Sequence, residues 1–128
     1  MSAPVTILVA AMVAHLVGSA VLLGVISGPE VVWGAPLFAL FGIWLMPVEV
    51  AVASIQWSLL GQPERTNRDV FVAWLATVPA SAMLAALLGP KEEGQFARWA
   101  FGYFVGVIAG ASLSLLIVAR ARQTAAKP

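Results

Sequence analysis

Four apolar stretches, each long enough to cross a lipid bilayer, occupy most of this chain. A spanning helix needs about 20 mostly apolar residues. Residues 4–26, 31–60, 70–88 and 96–118 meet that requirement. Between them lie short polar breaks: Ser27-Gly28-Pro29-Glu30, then Gly61 to Asp69, then Gly89 to Gln95. The runs are continuous rather than alternating, which argues against a β-barrel. Short connections place successive helices side by side. The expected fold is therefore all-α: a four-transmembrane-helix bundle with antiparallel neighbours and short loops. Residues 1–128 form a single integral membrane domain. The stretch 31–60 is longer than a bilayer needs, so it is expected to be tilted, kinked or partly interfacial.

Composition narrows the chemistry. Hydrophobic residues make up 61% of the chain and charged ones 10%, whereas a soluble domain is about a quarter charged. There is no cysteine and a single histidine. Disulfides, thiolate metal sites and multi-histidine centres within one chain are thereby excluded. One histidine cannot supply two haem ligands, and no carboxylate cluster suggests a metal pair, so no cofactor and no metal are expected. No basic patch exists beyond a short tail, which argues against nucleic acid. The first apolar run continues past Ala20, the only plausible cleavage point, so it is expected to be a retained helix rather than a signal peptide.

Short loops rich in Lys and Arg stay in the cytoplasm. With four spans, the N-terminus, the middle loop and the tail share one side. That side holds Arg65, Arg68, Arg120, Arg122 and Lys127; the other holds Lys91 and Arg98. Both termini are accordingly expected in the cytoplasm. The Ala-, Val- and Arg-leaning composition suggests the inner (plasma) membrane of a bacterium.

The last stretch carries Gly102, Gly106, Gly110 and Ser114, one small residue every four. In lipid such a strip lets helix backbones approach closely. A second strip, Ala73, Thr77, Ser81 and Ala85, lies on the third stretch. The two strips either face one another within one chain, or the glycine strip is a seam for a second copy or a larger membrane partner.

Ionisable side chains in hydrocarbon are costly and are functional candidates by default. Glu49 lies near the middle of the second stretch and His15 near the middle of the first, at similar depth. Gln56 follows Glu49 at a spacing of seven. Pro47 and Pro79 cannot donate an N–H, so they are expected to kink their helices and to free the carbonyls of Ile43 and Leu75. Three roles suit Glu49: a structural hydrogen bond, a proton- or ion-coupling site with His15 and Gln56, or contact with a polar group of a partner subunit. Asn67 or Asp69 is expected to cap the third helix.

No Ser-His-Asp set can be assembled and no phosphate-binding glycine loop is present, so no catalytic residue is assigned. Pro47-Val48-Glu49 resembles the Pro-x-Glu core of the small membrane subunits of heterodimeric carotenoid cyclases. The likeness covers three residues and is not extended by those around them. It implies Glu49 as a proton donor or acceptor on a lipophilic polyene. The chain also has about the size of small multidrug transporters, but their membrane glutamate lies in the first span, where this chain has His15. The leading expectation is a non-enzymatic subunit or accessory protein of a membrane assembly, packing through the fourth helix. The alternative is a proton-linked transporter or channel component with Glu49 titrating near the midplane. An enzyme acting on a lipophilic substrate stands third.

Overall fold

The computed structural model describes residues 2–61 and 65–126, apart from the side chains of Phe41, Trp44, Ala125 and Ala126. Gln62, Pro63 and Glu64 of the middle loop and Lys127 of the tail, which entered the charge comparison, lie outside the described residues. Among the described residues the chain is all-helical, with no strand. Helix α1 spans Ala3–Ser27, α2 Ala35–Phe41, α3 Met46–Leu59, α4 Asn67–Leu88 and α5 Phe96–Ala126. Three helices, α1, α4 and α5, are long and apolar enough to cross a membrane. Their outward faces carry large apolar side chains, among them Leu8, Met12, Phe71, Leu75, Leu87, Phe101 and Leu116, all exposed. A soluble monomer rarely exposes so much contiguous apolar surface. The surface suits insertion into lipid.

The second apolar stretch departs from the single helix expected over 31–60. It is divided into a 3-10 segment (Pro29–Gly34), α2, a second 3-10 segment (Ile43–Leu45) and α3. Pro36 lies in the first turn of α2 and Pro47 in the first turn of α3. A proline is tolerated there because the first N–H groups of a helix have no partner inside it. Pro47 therefore starts a helix rather than kinking the middle of one. Nor is the carbonyl of Ile43 left free, since it accepts the Met46 N–H across the 3-10 turn. Pro79 lies inside α4, which continues through it.

The helix ends have local causes. Gly28 closes α1 at φ 98°, donating its N–H to the Gly24 carbonyl at 2.9 Å. Only glycine enters that conformation without strain. The N-cap of α4 is Thr66, rather than the expected Asn67 or Asp69. The Asp69 carboxylate accepts from the Thr66 N–H at 2.8 Å and from its hydroxyl at 3.2 Å, so the expected Asp69 works as the far half of a capping box.

The broken segment lies along α1 from end to end. Val32 packs beside Gly24 and the side chain of Leu23 approaches Gly34. His15 meets Ala39 and Gly42 halfway along. Leu60 shares a buried cluster with Ala10, Ala53, Ala73, Leu115 and Val118. The most extensive helix contact is that of α1 with α5, followed by α4 with α5.

Candidate functional site

The site is built around the interruption between α2 and α3. His15 comes from the middle of α1 and is buried, with 7% of its side chain exposed. Its ring bridges the two sides of the interruption. Nε2 lies 2.7 Å from the carbonyl oxygen of Ala39 in α2. Nδ1 lies 3.0 Å from Oε1 of Glu49 in α3 and 2.9 Å from Oε2, with the hydrogen-bond angle favouring Oε1. Gly42 sits against the ring edge: a Cβ there would be 3.6 Å from His15 Cε1. Oε2 of Glu49 is enclosed and has no hydrogen-bond partner. The Glu49 side chain keeps 26% of its surface uncovered.

These contacts fix where the protons can be. A carbonyl oxygen only accepts, so the Nε2 of His15 must carry a hydrogen. One proton then remains between Nδ1 and the Glu49 carboxyl. Either Glu49 is protonated and donates to a neutral ring, or the ring is an imidazolium donating to a carboxylate. Both arrangements have zero net charge, which matters where a net charge is costly. Without that shared proton, a lone pair on Nδ1 would face a carboxylate at contact distance. The pair therefore holds one proton as a condition of staying together.

Gln56 does not join this pair. It is fully buried at the junction of α3, α4 and α5. Its amide nitrogen donates to Thr77 Oγ1 at 3.3 Å and to the Ala111 carbonyl at 3.2 Å. Its amide oxygen accepts from Ser114 Oγ at 2.8 Å. The Thr77 hydroxyl donates onward to the Ala73 carbonyl at 2.7 Å. Every polar atom of the Gln56 side chain thus has a partner, which is what a buried amide in an apolar surround requires. This cluster fixes register between three helices and is separate from His15.

The glycine strip faces neither α4 nor open lipid. Gly102, Gly106 and Gly110 are buried against α1. A Cβ at Gly106 would lie 2.8 Å from the Gly18 carbonyl oxygen, and one at Gly110 would lie 2.5 Å from that of Ala14. At Gly102 the neighbours are the side chains of Leu22 and Val25. Ser114, the last member of the strip, turns to Gln56 instead. The expectation that this strip meets the small residues of α4 is corrected: the close approach is to α1. The signal was present in Ala10, Ala14, Gly18 and Leu22, which repeat every four residues on the first helix.

Among the described residues no group of three or more His, Asp or Glu is arranged to hold a metal ion. No family model matches the chain, and neither a curated protein nor a solved structure does.

Proposed function

We propose that this chain is a proton-linked component of a membrane transporter or channel, in which Glu49 and His15 bind the coupled proton. One observation carries the proposal: the shared-proton pair sits at an interruption of a membrane segment, where one ring ties together both sides of the break. Discontinuous helices near the midplane are where transporters commonly place coupling ions. Loss of the shared proton would leave two acceptors face to face and loosen α1 from α3, while the Nε2–H bond to the Ala39 carbonyl still holds α2. Recapture would close the contact again. Proton occupancy is thereby tied to the position of a segment that the interruption leaves free to bend.

The same proposal includes four crossings and antiparallel neighbours. The segment from Val32 to Leu60 follows α1 over its whole height, which favours a crossing in spite of the break. Residue numbers on α1 fall from Leu22 through Gly18 to Ala14 as those on α5 rise from Gly102 through Gly106 to Gly110. That register favours opposite directions for the first and last helices. Both termini would then face the cytoplasm of a bacterial inner membrane, by the arginine distribution. The subunit role expected from a free seam on the last helix loses its main support, because α1 fills that face. A partner or a second copy would have to use another surface.

The test is infrared difference spectroscopy of the protein in nanodiscs across the pH range, with Glu49→Gln identifying the carboxyl band. A Glu49 band that titrates near neutral pH, and changes in His15→Ala, supports proton coupling. A band unaltered throughout would make the pair a structural latch and end the transporter reading.

A further inference from the structure

The rim where α3 ends and α4 begins carries a second feature, independent of Glu49. Two arginines dock there on or from the last turns of α5, and two more lie close to them in sequence. Arg122 donates through Nε to the Trp57 carbonyl at 3.1 Å, and its guanidinium lies 4.2 Å from the centre of the Trp57 ring. Arg65 donates through Nη2 to the Ala119 carbonyl at 2.9 Å. Ala119 and Arg122 are three residues apart on α5, hence on one face. Arg68 and Arg120 are exposed beside them in sequence.

Each of the two inner arginines spends one described N–H on a carbonyl, and a guanidinium has five. Among the described residues none of the four has a carboxylate within ion-pair distance, the one such contact being that of His15 with Glu49. The nearby Asp69 is occupied by the cap of α4. Two guanidiniums are thus held by backbone carbonyls, and one of them also by an indole. Their remaining donors stand at one end of the apolar helices, where α3 closes and the last turns of α5 lie. Guanidinium forks match the oxygens of a phosphate, and an aromatic partner at the headgroup level anchors the same depth.

We propose that this rim binds the phosphate of an anionic phospholipid, with Arg65 and Arg122 as the fixed contacts and Arg68 and Arg120 as the outer charges. The opposite rim supplies the comparison. Its Lys91 turns inward, donating to the Leu87 and Gly89 carbonyls, and Arg98 is exposed alone.

The experiment measures lipid binding by native mass spectrometry of the purified full chain, with phosphatidylglycerol and phosphatidylcholine as competing probes and inorganic phosphate as a third. The expected result is a preference for phosphatidylglycerol that falls roughly fivefold for each arginine removed in Arg65→Gln and Arg122→Gln. Lys91→Gln with Arg98→Gln should leave the preference unchanged. If Arg122→Gln does not fold because the end of α3 loses its cap, Arg68→Gln with Arg120→Gln touches no described contact and should still weaken the preference. Equal binding of the two lipids would overturn the proposal, as would a preference insensitive to the arginines. Displacement of the lipid by low concentrations of inorganic phosphate would reassign the rim to free phosphate and overturn the lipid source.

Discussion

His15 Nδ1 stands 3.0 Å from Oε1 of Glu49 while the other ring nitrogen holds the Ala39 carbonyl at 2.7 Å. One imidazole therefore spans a gap between two helices of the same segment. Removing either partner leaves a polar atom enclosed without a mate.

The pair should behave as a unit. Glu49→Ala is expected to destabilise the protein by about 1–3 kcal/mol, the cost of leaving a buried group unpartnered. Glu49→Gln should cost less, because its amide can donate to Nδ1. A double-mutant cycle with His15→Ala should show a coupling of about 0.5–3 kcal/mol. Unfolding in detergent measures it, and additive effects would remove the contact from the account.

The glycines of α5 should differ sharply from Gly18. At Gly110 and Gly106 the atoms in the way are backbone oxygens, 2.5 and 2.8 Å from an added Cβ. Neither can yield unless the helices separate. Gly110→Ala and Gly106→Ala should each destabilise by about 1–3 kcal/mol, despite the better helix propensity of alanine. At Gly18 the same Cβ would meet the Gly106 carbonyl oxygen at 3.4 Å, so Gly18→Ala should be close to neutral. Thermal unfolding compares the three. Equal tolerance at all three positions would contradict the α1–α5 packing.

The Gln56 cluster should be sensitive to truncation. Ser114→Ala removes one donor and is expected to cost about 0.6–1.7 kcal/mol, the range of interhelical hydrogen bonds in lipid. Gln56→Ala should cost more, since it also empties volume and strips Ser114 and Thr77 of a partner. Denaturation of the two variants gives the order, and a larger loss for Ser114→Ala would be against it.

Topology can be read directly because the chain has no cysteine. Single cysteines at Ser2, Asn67 and Gln123 should be labelled by an impermeant thiol reagent from one side of the membrane. Those at Glu30 and Glu93 should be labelled from the other. If Ser2 and Asn67 react from opposite sides, the broken segment does not cross, and the four-crossing proposal falls.

The amino-acid sequence was enough to determine the helical class, the three long apolar helices and the positions of the polar breaks. Those properties depend on run length and on local signals such as the Ser27–Glu30 break, which act over a few residues. It also marked His15 and Glu49 as groups of similar depth, because depth follows from counting along each helix. The tertiary structure decided the rest. Helical spacing says which residues share a face but not which neighbour that face meets, so the strip of α5 went to α1 rather than to α4. Gln56 is seven residues from Glu49 and points to a different junction, since the rotation of α3 is set by what packs around it. The division of the second segment was equally a matter of packing. Pro36 and Pro47 permit two new helix starts, and the bridge from His15 to Ala39 and Glu49 holds the two sides of the break on α1.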